Sequence, residues 1–278
     1  KEYFRPTTSF EGLVYASQIL QRFAIKTAVE AHRRLKPYNM GTLTWQLNDV
    51  WPVASWSTRD YYGNWKATQY MQKHMYEDVI TSAFFNRGVL ELHIVSDLYH
   101  DLEGFATLEV VDLNGRLLLK EHQRVQAPEN TATKVMEIAS KDLGHIDITQ
   151  AVIVSSFQAK EARFDNINYF GRPKELELQN PYVTFSQSER HPDCIDVSVK
   201  SFGMGIYFYV DSMFLHFSDN YFDLLPGQEK EICLESQKLD SIYSLIQVTS
   251  MFDAITQMGV SPDSTQDFEE TLLNFLNS

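Results

Sequence analysis

The sequence has 278 residues, 44% of them hydrophobic and 22% charged, with a formal net charge of −13. That length corresponds to about two domains of a globular chain. So acidic a surface lacks the clustered Lys and Arg that neutralise phosphates, and no apolar run approaches the roughly 18 residues of a membrane span, so neither nucleic acid nor a membrane is expected as a partner.

In chain order, the opening KEYFRPTTSFEG lacks the basic stretch and apolar core of a secretory leader. Thr8 and Glu11 have capping-box spacing. Leu13, Tyr15-Ala16, Ile19-Leu20, Phe23-Ala24, Thr27-Ala28 and Ala31 then recur at near-helical intervals. His32, Arg33, Arg34 and Lys36 suit a helix C-terminus, and Pro37 closes it. A strand is predicted from Thr42 to Leu47, then a tryptophan-rich loop, then a helix from Trp65 to about Tyr76 capped by Asn64. Helix, strand, loop, helix is an α/β rhythm. One strand and two helices cannot bury a core alone, and a lone strand has two unpaired edges. Residues 1–77 are therefore expected to be the end of a larger α/β fold.

From Val79 the period changes to two. VLELHIVSD, ATLEVVD, LLLKEHQRVQ, AVIVSSFQA and FDNINYF read as short strands, with Asn114-Gly115 as a hairpin turn. The pattern pauses near Gly171-Arg172-Pro173. It resumes at Tyr182 to Phe185 and runs through CIDVSVKSF, IYFYVDSMFLHF, EKEICLE and LIQVTSM, with a turn at Pro226-Gly227. Two antiparallel sandwiches are predicted, residues 78–176 and 177–256. A tail, 257–278, carries a short amphipathic helix from Phe268 to Leu276.

Cys194 and Cys233 are the two cysteines. Each lies in an alternating apolar stretch, which suits buried free thiols; an inter-strand disulfide is the alternative. No Cys/His grouping has zinc-site spacing, and no metal or cofactor is expected. No N-x-S/T sequon occurs. Tyr207, Phe208, Tyr209 and Tyr221 are the candidates for an aromatic sugar-binding face on the second sandwich, although alternation turns half of such rings inward.

The stretch GTLTWQLNDVWP, from Gly41 to Pro52, concentrates the chemistry. In a (β/α)8 barrel the active site lies at the C-terminal strand ends. If Thr42 to Leu47 is a barrel strand, Asn48, Asp49, Val50 and Trp51 form its exit loop. Trp45 can then offer a flat apolar face to a pyranose ring while nearby polar groups bind hydroxyls. The plainer alternative is that Leu43, Trp45 and Leu47 share one side and pack against helices.

GTLTWQLNDVWPVASWSTRDYYGNWKATQYMQK resembles the terminal strand, loop and helix of the β-mannosidases of glycoside hydrolase family 2. AVEAHRR, at Ala28 to Arg34, is similar to the penultimate helix of that family. IVSDL, NYFGRPKEL, LHFSDNYFDLLPG and VTSMFDA resemble its two C-terminal Ig-like domains. The resemblance implies a mainly β chain: two Ig-like β-sandwich domains preceded by the last α/β elements of a (β/α)8 barrel. It implies a retaining exo-β-mannosidase acting on the non-reducing end of a β-mannoside oligosaccharide, with upstream barrel and sandwich domains as partners within one protein. Retention needs two carboxylates about 5 Å apart. The family's acid/base Glu follows an Asn, and its nucleophile sits in a Ser-Glu-aromatic-Gly setting. No Asn-Glu pair occurs here, and Ser188-Glu189 is followed by Arg190. Both carboxylates are thus expected upstream of residue 1, which leaves this chain with no catalytic residue and inactive alone.

The resemblance carries substrate binding onto Trp45 as the floor of the sugar pocket, with Asn48, Asp49 and Trp51 beside it. Asp49 serves equally well as a residue that holds a loop or an Arg. Trp56, Arg59, Tyr61 and Tyr62 shape the rim or pack. It also implies a cis peptide at Trp45-Gln46. The alternatives are a relative acting on galactosides or glucuronides, and a non-catalytic Ig-like pair for sugar binding or assembly. Bacterial relatives are often periplasmic or secreted and animal ones lysosomal; the lack of sequons and of cysteine pairs leans towards a bacterial source.

Overall fold

The computed structural model describes residues 3–160, 162–211, 213–235 and 238–256. The helix expected from Phe268 to Leu276 lies outside these residues. The first helix, α1, runs from Phe10 to Arg34. Its N-cap is Ser9 and not Thr8: the Ser9 hydroxyl accepts from Gly12 N at 3.0 Å. Thr8 is displaced from the cap because its backbone N–H donates to Ala254 O at 3.2 Å. The cationic end matches the expectation, with His32, Arg33 and Arg34 in the last turn. The second helix, α2, is shorter than predicted, Ala67–Met75. Asn64 does not cap it, because its amide and its N–H both turn back to Asp60.

The predicted strand Thr42 to Leu47 is extended but pairs with no other strand. Only isolated bridges occur nearby, Asn48 with Arg59 and Arg59 with Trp65. A strand needs a neighbour to satisfy its N–H and C=O groups. Among the described residues its backbone partners are Thr58 and Arg59 at its C-terminal end, and no strand runs along the rest of it.

Two all-antiparallel sandwiches follow. The first sets β1 (Val79–Asn86), β2 (Val89–Ser96) and β5 (Ala132–Ala139) against β4 (Leu117–Ala127), β3 (Leu102–Asp112), β6 (Ala151–Ala159) and β7 (Arg163–Tyr169), in the orders β1-β2-β5 and β4-β3-β6-β7. The period of two builds its core: Leu90, Leu92 and Ile94 of β2 face Ala106, Leu108 and Val110 of β3, all buried. Asn114-Gly115 turns the β3–β4 hairpin, with Gly115 at φ +87°.

The second sandwich holds β8 (Thr184–Gln187), β9 (Cys194–Ser198) and β12 (Lys230–Cys233) in the order β12-β9-β8. Its other sheet holds β10 (Gly203–Tyr209), β11 (Phe222–Leu224) and β13 (Gln247–Thr249) in the order β11-β10-β13. Ile195, Val197, Ile206, Phe208 and Ile232 fill it. The short helix α3 (Met251–Ile255) ends the described chain. Cys194 and Cys233 sit directly opposite in the β9–β12 register and form a disulfide, so the free-thiol reading is corrected. That pairing also removes one ground for the bacterial leaning.

A third apolar cluster joins everything. Tyr15, Ala16 and Ile19 of α1 and Tyr70 of α2 meet Val111, Val152 and Val154 of the first sandwich. The same cluster takes in Phe202, Met204 and Tyr221 of the second sandwich and Met251 and Ala254 of α3. The segment that cannot bury a core alone shares one with both sandwiches. Polar ties follow the same seam. Arg22 on α1 pairs with Asp223 at 3.1 Å, and Asp223 also accepts from Gly205 N and the Tyr169 hydroxyl. Burial opposes the Asp223 charge, yet Arg22 beside it holds the carboxyl below its usual range. Glu30 is tied in the same way to Lys26, Asn166 and Asn168.

Candidate functional site

The segment from Gly41 to Leu47 is anchored along one side. The His32 ring meets the Thr42 hydroxyl at 2.9 Å, the Tyr76 hydroxyl donates to Thr42 O at 3.1 Å, and Thr44 and Tyr76 share a bond of 3.2 Å. In extended backbone successive side chains point to opposite sides. Anchoring Thr42 and Thr44 therefore turns the odd positions outward: Leu43 is 99% exposed, Trp45 77% and Leu47 56%. Among the described residues these three do not pack against helices. The Trp45-Gln46 peptide is cis, as the resemblance implies.

A hydrogen-bonded frame fixes the strand end. Thr58 N donates to Gln46 O at 3.0 Å and Arg59 N to Leu47 O at 2.7 Å. The Gln46 amide reaches back to Asn48 O at 2.8 Å. Asp49 is buried beneath the loop. Its two oxygens accept the Ser55 and Ser57 hydroxyls, each at 2.6 Å, and Lys66 stands at 3.5 Å from the second. Those hydroxyl bonds hold the Asp49 carboxyl below its usual range. The geometry thus fits the loop-holding alternative for Asp49.

Asn48 lies on the exposed surface, where its amide makes one long internal bond, 3.3 Å to Asp49 O. Trp51 is 63% exposed. Trp45, Asn48 and Trp51 are therefore all exposed, and Asp49 is the buried residue that pins the loop between them. Trp56, Tyr61 and Tyr62 are also exposed, while Arg59 is half-buried. From Tyr38 to Lys66 the carboxylates are Asp49 and Asp60, and both accept internal bonds. The loop offers shape and hydrogen bonds but no pair of free acids.

The aromatic candidates on the second sandwich fare differently. Phe208 points into that sandwich's core, and Tyr221 is buried in the shared cluster. Tyr207 and Tyr209 take the opposite side of β10, but Tyr207 is stacked between Tyr221 at 4.1 Å and Tyr209 at 5.2 Å, with Tyr15 of α1 at 6.4 Å. Packing of α1 and Tyr221 against Tyr207 leaves Tyr207 and Tyr209 half-buried, so none of the four rings is fully exposed.

Sequence reasoning missed Phe214. IYFYVDSMFLHF reads as one strand, but β10 stops at Tyr209 and the chain loops outward. Phe214 is exposed there and stacks on Tyr62 at 5.8 Å. The Asp211-Ser212 pair, poor in a strand, was the available signal.

The grouping His191, Cys194 and Glu231 brings three ligand-type atoms within 4.8 Å of one another, but the Cys194 sulfur is engaged in the disulfide. Among the described residues no helix is long and apolar enough to cross a membrane.

Residues 88–175 match the family model of a mannosidase Ig/CBM-like domain, and residues 178–254 match a mannosidase Ig-fold domain. β-Mannosidase A of Aspergillus clavatus is 28% identical over 89% of this chain and 29% of its own length. That of Aspergillus oryzae is 30% identical over 81% and 27%. The chain thus spans less than a third of the length of these relatives. The β-D-mannosidase of Dictyoglomus thermophilum shares the fold with a TM-score of 0.78 at 23% identity, over 89% of this chain and 31% of its own. An exo-chitosanase of Amycolatopsis orientalis does so with 0.63 at 13% identity, over 86% and 34%. Two consecutive domains of mannosidase families and a preceding segment that aligns with β-mannosidases lead to one conclusion: the two sandwiches belong to the mannosidase Ig-like domain families, and the chain as a whole is similar to the C-terminal portion of β-mannosidases.

Proposed function

We propose that this chain is part of a retaining exo-β-mannosidase that removes terminal non-reducing β-D-mannose from oligosaccharides. The observation that carries the reading is Trp45: a large apolar face held outward on a fixed support, in a chain whose relatives are β-mannosidases. The Trp45 indole lies against one face of the terminal sugar and excludes water from it. Asn48 supplies amide donors to hydroxyls, Trp51 forms a second wall, and Asp49 positions the loop through Ser55 and Ser57. The two carboxylates that retention requires, about 5 Å apart, come from outside these residues. Residues 1–77 close a barrel whose other strands cover Leu43 and Leu47. Residues 78–176 and 177–256 are the two scaffolding sandwiches.

The 278-residue chain assayed on p-nitrophenyl β-mannoside is expected to show no turnover, whereas the reading frame extended upstream to include the barrel turns it over. Trp45→Ala in that longer protein lowers kcat/KM by about 10- to 100-fold, or roughly 1.4 to 2.7 kcal/mol of transition-state binding. Turnover by the 278-residue chain itself, or a preference of the longer protein for galactosides or glucuronides, overturns the proposal.

A further inference from the structure

Phe214 comes from the loop after β10, on the second sandwich, yet it lies on the tryptophan loop. Its ring stacks on Tyr62 at 5.8 Å and 19°, and Tyr61 meets Tyr62 edge-on at 5.2 Å. The contact is supported from below, where Trp65 packs on His216 at 4.4 Å. Tyr62 is 61% exposed and Phe214 60%, so each ring keeps most of its surface open although the two touch. This trio is continuous with the Trp45 segment through the backbone. Arg59 bridges to Asn48 and donates to Leu47 O, and two residues later the chain presents Tyr61 and Tyr62.

Donors accompany the rings. The Arg59 Nε is buried without a partner, and its guanidinium makes one long bond, 3.5 Å from Nη2 to Gly63 O, so the donors it can offer a ligand are on its Nη atoms. It faces no carboxylate of its own loop, because Asp60 is engaged by Asn64 and Asp49 by the two serines. Flat apolar faces beside unused hydrogen-bond donors suit a neutral, hydroxyl-rich ligand.

We propose that Tyr61, Tyr62 and Phe214 form a second aromatic platform that binds the sugar units beyond the terminal one, so that the second sandwich contributes directly to substrate choice. This rests on the mannosidase reading above. Tyr61 and Tyr62 belong to the loop that the bridge between Arg59 and Asn48 ties to the end of the Trp45 segment, and on this proposal the units that follow a terminal sugar on Trp45 reach Tyr62 and Phe214. Arg59 supplies donors to their hydroxyls.

The test compares a β-linked mannose tetrasaccharide with p-nitrophenyl β-mannoside, using the longer protein that contains the barrel. Phe214→Ala and Tyr62→Ala are expected to lower the ratio of kcat/KM on the tetrasaccharide to that on the aryl glycoside about tenfold, through KM more than kcat. Phe214→Leu keeps apolar packing but removes the flat face, and lowers the ratio in the same way. Tyr62→Phe keeps the face and retains the ratio. An unchanged ratio in the alanine and leucine variants, or an equal fall on both substrates with a lowered melting temperature, overturns the platform and leaves the mannosidase reading standing. Absence of turnover on both substrates in the unsubstituted longer protein fails the mannosidase reading itself, and the platform with it.

Discussion

Gly205 shows how one position carries the seam between α1 and the second sandwich. It lies at φ +65°, and an added Cβ would stand 2.6 Å from the Tyr15 hydroxyl and 2.8 Å from Ile19 Cδ1. The Tyr15 hydroxyl donates to its carbonyl, and its N–H donates to Asp223. Gly205→Ala therefore meets both a left-handed backbone and an occupied space. A loss of about 2–4 kcal/mol is expected, read as a lower midpoint in chemical denaturation. At this scale the sequence is legible in kind and uncertain by a position or a role. It marks a cap before α1 but not whether Thr8 or Ser9 provides it, since the deciding contact comes from Ala254 at the far end of the chain. It marks Trp45 and Asp49 as special, but which one faces outward depends on the anchors from His32 and Tyr76 and on the two serines below Asp49.

Helix α2 reaches the second sandwich through a charged contact. The His74 ring bonds Asp219 at 3.0 Å and Glu77 at 3.3 Å, and Lys230 reaches Asp219 at 2.7 Å. Bonding to Asp219 and Glu77 raises His74 to about 9. Asp219 is pushed up by burial, but His74 and Lys230 hold it at about 2. His74 keeps its proton more tightly when folded, so its contribution is complete below about pH 6.5 and is lost as pH rises through about 9. Asp219 has the opposite sign: its contribution is present above about pH 3.8 and is lost as pH falls towards about 2. The His74 side chain is 42% exposed, so screening reduces its share to about 1 kcal/mol. His74→Gln is expected to flatten the decline in stability between about pH 6.5 and 9, measured by denaturation at several pH values. Elements with a strong period of two, such as β2 and β3, are readable from sequence because one face of each is buried, and β6, buried on both faces, reads instead as a short apolar run. The segment from Thr42 to Leu47 has the same local signal, but among the described residues no strand pairs with it, so it remains an extended edge. The loop carrying Phe214 fails for the reverse reason. Its residues are apolar enough for a strand, yet the Asn220 side chain takes the place of β11 beside Phe208, and β10 ends one residue later at Tyr209.

The whole molecule depends on the shared apolar cluster. It draws on α1, α2, both sandwiches and α3, so the preceding segment and the sandwiches are expected to unfold together. Amide exchange in α1 around Ile19 is expected to be as slow as in β6. A truncated chain beginning at Asp78 would uncover Val111, Met204 and Tyr221 and bind a hydrophobic dye far more strongly than the full chain. Equal dye binding by the two would show that α1 adds nothing to the core.

The amino-acid sequence by itself determined the two antiparallel sandwiches, the helical start, the turn at Asn114-Gly115 and, through its resemblance, the cis peptide at Trp45-Gln46. Each rests on local periodicity, turn chemistry or a specific motif, and these act over a few residues. Tertiary structure alone decided the disulfide between Cys194 and Cys233, the burial of Asp49 and Tyr221, the seam around Gly205, and the meeting of Tyr62 with Phe214. Those depend on register and on contacts between segments far apart in the chain, where packing and hydrogen-bond satisfaction choose among side chains that the local pattern leaves equivalent.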